Sequence, residues 1–210
     1  MKDADGHIFL ALSRPRAGRE AEFNAWYDAH HLSDVVTFAP GFVRGRRYLA
    51  SADQAGGPAP PWVSLAIYDL HTDDVADMHA QVRANVKHFT PSNGVFEDDH
   101  AAWVYTPVDA LAAGDASRPS GLSTEHRRQL LLAFANEEQE IAPEVLGLPA
   151  EGRRFLLHRD QRLGVAAPWR RMTLFELTAP FEGAPPPHRA DPDARALWVY
   201  DPIGREVGPA

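Results

Sequence analysis

Arg46-Arg47-Tyr48, Pro61-Trp62 and Ile67-Tyr68-Asp69-Leu70 recur later in the chain as Arg153-Arg154-Phe155, Pro168-Trp169 and Leu174-Phe175-Glu176-Leu177. The spacing is constant, since 154 − 47 and 175 − 68 are both 107. A further echo, Ala102-Trp103-Val104-Tyr105-Thr106-Pro107 against Leu197-Trp198-Val199-Tyr200-Asp201-Pro202, comes at an offset of 95. Self-similarity at a fixed spacing reports architecture before local propensity does. Two copies imply a tandem duplication of one module rather than a solenoid.

Outward from these anchors, the first copy reads strand, helix, strand, strand, helix, strand. His7–Ser13 is short and apolar, closed by Arg14-Pro15. Arg19–Phe38 carries apolar and aromatic residues at helical spacing and is stopped by Ala39-Pro40-Gly41. Phe42–Ala50, Trp62–Leu70 and Ala101–Val108 read as the other strands. Asp73–Phe89 reads as the second helix, with Thr72 as its N-cap. This β-α-β-β-α-β order is the ferredoxin-like split motif, an antiparallel sheet with two helices on one face.

Residues 109–125 are small, polar and turn-prone, as expected of a linker between a module at 1–108 and a second at 126–210. In the second copy Gln129–Ala135, Arg153–His158, Trp169–Leu177 and Arg195–Tyr200 match the four strands. Its helices look eroded. Pro143 interrupts the first, and Pro180, Pro185, Pro186, Pro187 and Pro192 stand where the second would run.

The chain has 210 residues, 44% of them apolar and 24% charged, as in ordinary globular proteins. A net charge of −8, with scattered arginine pairs, argues against a nucleic-acid surface. The absence of cysteine excludes disulfides, thiolate metal sites and cysteine nucleophiles, and fits a cytoplasmic protein. No apolar run is long enough to span a membrane, and Ile8 to Leu12 is too short for a signal peptide.

The densest chemistry lies in Phe23-Asn24-Ala25-Trp26-Tyr27-Asp28-Ala29-His30-His31-Leu32-Ser33-Asp34. On a regular helix Phe23, Tyr27, His30 and Asp34 share a stripe, with His31 one step round from it. Two imidazoles, a phenol and a carboxylate within mutual reach suit general acid–base chemistry. A histidine among aromatics also has a purely structural reading, hydrogen-bonded in a half-buried helix. No metal is expected. Adjacent His30 and His31 point about 100° apart on a helix, and no metal-ligand spacing is present. The acidic run Glu97, Asp98, Asp99 beside His100 reads as a solvated loop. Trp62, Trp103, Trp169 and Trp198 repeat across the copies, which favours a packing role.

Trp26-Tyr27-Asp28, His31-Leu32-Ser33-Asp34, Pro40-Gly41-Phe42 and Arg46-Arg47-Tyr48 resemble the dimeric α+β barrel superfamily, and within it the EthD-like proteins. His31 matches the family histidine, and Ser33 stands where a proline is usual. The likeness covers about half the chain, and the second module joins it through the repeat. The resemblance implies an α+β fold in which two ferredoxin-like sheets face each other as a barrel. Here both sheets would come from one chain, as a monomer with an internal pseudo-dimer or as a homodimer. It also implies a small hydrophobic or aromatic ligand, and activities that include cofactorless monooxygenation, cyclisation, dehydration, isomerisation and haem chemistry.

The expected function is therefore a cofactor-independent enzyme, with non-catalytic ligand or haem binding as the alternative. His31 would be the acid or base, with His30 as its alternative, and Asp34 or Asp28 would orient it. Tyr27 or Arg47 would donate to a developing oxyanion. Trp26, Arg47, Trp62, Tyr68 and Trp103 would line the substrate pocket.

Overall fold

The computed structural model describes residues 6–54, 59–108, 119–123, 128–136, 152–160, 163–177, 179, 181 and 195–208. The first half runs β1 (Gly6–Ser13), α1 (Glu20–Trp26), a π-helical turn (Tyr27–His31), α2 (Leu32–Phe38), β2 (Phe42–Ala50), β3 (Ser64–His71), α3 (Val75–Asn85), a 3-10 turn (Val86–His88) and β4 (Ala101–Pro107). The second half supplies β5 (Leu130–Ala135), β6 (Gly152–Leu157), the two-residue β7 (Leu163–Gly164), β8 (Arg171–Glu176) and β9 (Arg195–Val207). The strands follow the order β1-β3-β2-β9-β5-β8-β6-β4, and β4 pairs back onto β1. The sheet thus closes into an eight-stranded antiparallel barrel within one chain, with β7 a short addition beside β4. Closure leaves no long unpaired edge among these eight strands.

The two halves have the same topology, β4-β1-β3-β2 and β9-β5-β8-β6. Their registers also coincide. Leu12 faces Leu65 in the first half, and Phe134 faces Met172 in the second. Arg47 opposes Ala66 just as Arg154 opposes Thr173. The two seams match as well, Tyr48 against Pro202 and Phe155 against Pro107. A one-residue slip would turn every side chain to the wrong face, so matched register preserves the same inward set in both halves.

Strand alternation sends Ile8, Leu10, Leu12, Leu65, Ile67, Leu130, Leu132 and Phe134 into the barrel, where Trp62, Trp103 and Trp198 are buried. The polar tips of Trp62 and Trp103 end on backbone carbonyls. Trp62 Nε1–H donates to Asp99 O at 2.7 Å and Trp103 Nε1–H to Val165 O at 2.8 Å. The Tyr105 and Tyr200 hydroxyls donate to Trp169 O and Trp62 O, each at 3.1 Å. A buried polar group left without a partner costs about 1–3 kcal/mol, so these bonds are what make an aromatic-filled barrel tolerable.

On the outer face of the first half, the helices cover a second core of Phe9, Phe23, Tyr27, Leu32, Val35, Phe42, Tyr68, Leu70, Val75, Met78 and Val104. Gly41 ends α2 at φ +87°, and a Cβ there would lie 2.6 Å from His71 O. His71 N–H donates to Gly41 O at 2.8 Å. The α3 helix is capped by Asp74, whose Oδ1 accepts from Asp77 N–H at 2.9 Å, and not by Thr72. Thr72 instead uses its hydroxyl to bond Asp74, fixing the turn before the cap.

Part of the expected linker belongs to the core. Leu122 is buried in the barrel cluster, and Ser120 N–H donates to Asp69 Oδ1 at 2.7 Å. The expected erosion of the second copy's helices, at 137–151 and 180–193, falls outside the described residues apart from Phe181.

Candidate functional site

The helix that carries the polar-aromatic stretch is not regular. Leu32 N–H donates to Tyr27 O, five residues back, which makes Tyr27–His31 a π turn joining α1 to α2. One extra residue in a turn rotates everything after it relative to everything before it. Trp26 and His31 therefore stack, with ring centroids 4.4 Å apart and planes 21° from parallel. Tyr27 meets the His31 ring edge-on at 4.9 Å, and Phe89 approaches it at 5.9 Å. Phe96 stacks on Trp26 at 5.8 Å, and Trp26 Nε1–H donates to Thr90 O at 3.1 Å. His30, which a regular helix would align with Phe23, Tyr27 and Asp34, is exposed.

Beneath this aromatic wall lies Arg47, fully buried on β2. Its guanidinium donates to Asp28 Oδ1 at 2.6 Å, to Asn24 Oδ1 at 2.9 Å and to Ser64 Oγ at 3.4 Å. It also lies 4.2 Å from the Tyr27 ring centroid, a cation–π contact. The planar fork explains why arginine, with donors in fixed directions, serves here. Its neighbour Arg46 points the other way and pairs with Glu206 and the Ser123 carbonyl.

The two carboxylates expected to orient His31 are engaged elsewhere. Asp28 holds Arg47, and Asp34 Oδ2 accepts from Thr90 N–H at 2.7 Å. His31 Nδ1 is buried with no hydrogen-bond partner. Burial lowers the His31 pKa to about 4; Asp34 opposes that shift, and the Arg47 charge adds to it. The imidazole is therefore neutral at neutral pH. Burial likewise raises the pKa of Tyr27 and, more strongly, that of Tyr68, so both phenols stay protonated. The two hydroxyls are neighbours, and Tyr68 Oη lacks a well-formed hydrogen bond.

Trp26, Tyr27, His31, Arg47 and Tyr68 thus come together on the helix side of the sheet. Trp62 and Trp103 do not join them; they meet each other edge-on at 5.5 Å inside the barrel, on the other face. Asn24, Ser64, Phe89 and Phe96 belong to the site and were not singled out in the sequence. Asn24 was accessible, four residues before Asp28 and so on its helix face. Phe89 and Phe96 come from a distant segment and carried no local signal. Among the described residues no three His, Asp or Glu side chains converge as metal ligands. No described helix is long and apolar enough to cross a membrane.

No protein-family model matches the chain, and no curated protein sequence is similar to it. Its fold has solved counterparts. An anthrone oxidase-like protein superposes with a TM-score of 0.57 at 7% identity, covering 99% of this chain and 94% of that one. A chlorite dismutase-like protein gives 0.49 at 9% identity, covering 97% and 96%. The encapsulated DyP-type peroxidase of Mycobacterium smegmatis gives 0.45 at 11%, covering 96% and 94%. The first of these shows the fold, and the other two superpose too loosely to add to it. The chain has the dimeric α+β barrel fold.

Proposed function

We propose that this protein is a cofactor-independent, EthD-like enzyme that removes a proton from a small aromatic or hydrophobic metabolite at His31. One observation carries the reading: an imidazole nitrogen buried without a partner at a π turn, inside an aromatic wall. An unsatisfied buried nitrogen costs about 1–3 kcal/mol, and a ligand O–H or N–H that reached it as the surrounding rings part would relieve that cost. π turns are also frequent at functional sites.

In this reading the aromatic wall of Trp26, Phe89 and Phe96 borders the substrate with ring edges, since Trp26 is itself stacked between His31 and Phe96. Neutral His31 accepts a proton from an acidic C–H or O–H, leaving a delocalised anion on the substrate. The imidazolium that forms is favoured by the Asp34 charge. Arg47 holds Tyr27 from below and is a positioning residue. The matched halves are read as a tandem duplication, with the site in the first module (1–108) and the second (126–210) as its built-in partner. A cytoplasmic location is part of the same reading. Haem ligation at His31 is the lesser alternative in this reading, because the ring is stacked on Trp26 and flanked by Tyr27 and Phe89.

The test is turnover of a panel of naphthols, anthrones and β-dicarbonyl aromatics, with products identified by mass spectrometry. The wild-type protein should convert at least one. His31→Ala should lose about 100-fold or more in kcat/KM, the range for removing a general base, while melting within a few degrees of wild type. Equal rates in the variant contradict the mechanism. The engagement of Asp28 and Asp34 elsewhere favours a second reading, a binding protein without turnover. It predicts saturable binding of a panel member and no product.

A further inference from the structure

Of the rings around His31, Trp26 and Tyr27 belong to its own helical segment, and Phe89 comes from elsewhere in the chain. Tyr27 is fixed in the core, and Trp26 is stacked between His31 and Phe96. Phe96 is fixed too. It bridges Pro15, its carbonyl accepts from Arg16 Nε–H at 3.2 Å, and the next amide, Glu97 N–H, donates to Arg14 O at 2.9 Å. Phe89 is only half-buried and follows directly on the 3-10 turn at Val86–His88.

Thr90–Gly94, between Phe89 and the buried Val95, is held differently. Among the described residues no backbone–backbone bond ties this stretch to another segment; the bond from Val95 N–H to Ser92 O at 3.2 Å closes its own turn. Its ties are made by three side chains of the first helical layer. Asp34 Oδ2 accepts from Thr90 N–H at 2.7 Å, and Trp26 Nε1–H donates to Thr90 O at 3.1 Å. Arg19 Nη1 donates to Asn93 O at 2.9 Å and to Gly94 O at 3.1 Å. Asn93 and Gly94 form the tip, with φ of +51° and +67°, and a Cβ at Gly94 would meet nothing within 4 Å. A stretch held by side-chain bonds near the surface, with little packing, opens at lower free energy than the core.

We propose that Phe89–Gly94 is a gate over His31, with Arg19 as its latch. The inference rests on His31 being the site, and it names the part that moves when a small molecule enters. The gate hinges on Gly94 at one end, where glycine supplies the backbone freedom, and on the 3-10 turn at the other. Swinging out lifts Phe89 from the His31 ring and parts Thr90 from Trp26 and Asp34, while Phe96 stays. The strap moves as a unit, so loosening it at Arg19 loosens it at Thr90. Arg19 acts through the strap and is a positioning residue.

The test follows hydrogen exchange by NMR in the wild type and in Arg19→Met, which keeps the alkyl stem and removes both carbonyl bonds. Exchange of the Thr90 amide and of the Trp26 indole N–H should quicken about tenfold, although Arg19 bonds neither. The Trp103 indole N–H, which donates to Val165 O inside the barrel, is the reference and should not change. Acylation of His31 by diethyl pyrocarbonate is read by tandem mass spectrometry against its exposed neighbour His30. It should rise about tenfold in Arg19→Met, and also in Phe89→Ala, which removes the covering ring. Unchanged exchange at Thr90 and Trp26, an equal acceleration at Trp103, or unchanged His31 acylation in both variants overturns the proposal. No readout involves a substrate, so a compound panel without turnover would sink the chemistry at His31 and leave the gate standing.

Discussion

Trp26 and His31 stack ring on ring at 4.4 Å although five residues separate them in sequence. On a regular helix, residues five apart diverge by more than a quarter turn. The π turn at Tyr27–His31 closes that gap, and in doing so it turns His30 to solvent and His31 onto the aromatic wall.

Deleting Ala29, an exposed residue inside the turn, should return the helix to α register. The downstream segment would then rotate by about 100° relative to the upstream one. Either Phe23 and Tyr27 or Leu32 and Val35 would leave the core they now share. Losing two such side chains from a core should cost more than about 3 kcal/mol in a urea titration. A deletion variant as stable as the wild type would show that the π turn is incidental.

The lowered pKa of His31 makes stability depend on pH with a definite sign. The unfolded imidazole titrates near 6.5 and the folded one near 4. Between these values the unfolded chain binds more protons, so acidification through this window destabilises the fold. Going from pH 7 to pH 5 should cost about 2 kcal/mol through this group. His31→Phe, which keeps the stacking on Trp26, should lose that component. Denaturant titrations of both proteins at the two pH values measure it, and parallel losses would contradict it.

Arg47 and Asp28 form an ion pair of unequal burial, with the arginine enclosed and the aspartate 44% exposed. Asp28→Ala leaves a buried guanidinium without its charge partner, and should cost about 3 kcal/mol despite the aspartate's exposure. Adding Arg47→Met should recover part of that loss, because the unpaired charge is gone. A double-mutant cycle by chemical denaturation reads the coupling.

Gly45 is the close-packing point between β2 and the helix layer. A Cβ there would lie 2.7 Å from the Tyr68 ring and 3.0 Å from Leu32 Cδ1. Gly45→Ala should therefore destabilise by about 1–3 kcal/mol, the usual cost of overpacking. It should also perturb Tyr68 and Leu32, next to the site. Unchanged thermal unfolding would mean that the helix layer is looser than these contacts imply.

The barrel was legible because the repeat carries its register. Arg47 and Arg154, or Trp103 and Trp198, stand at equivalent strand positions, and strand pairing tolerates no slip. The grouping of Trp103 with Tyr68 went astray because alternation gives faces within one strand, and pairing alone relates two strands. Leu10 opposes both Ile67 and Trp103, so Trp103 shares a face with Ile67, and Tyr68 lies on the other. The π turn left no trace in composition, since its extra residue sits in an unbroken helical stretch. Leu122 was unreadable for a different reason: a lone leucine among turn residues enters a core that other segments build. The engagement of Asp34 by Thr90 likewise depends on a segment far along the chain.

The claim that His31 presents a neutral imidazole to a small aromatic molecule is tested most directly by its side-chain nitrogen NMR shifts at pH 7, with and without 1-naphthol. Neutral imidazole shifts in the free protein, with both nitrogens moving as naphthol saturates, are the predicted result. An imidazolium signature at pH 7, or nitrogen shifts that naphthol leaves unmoved up to its solubility limit, would contradict it.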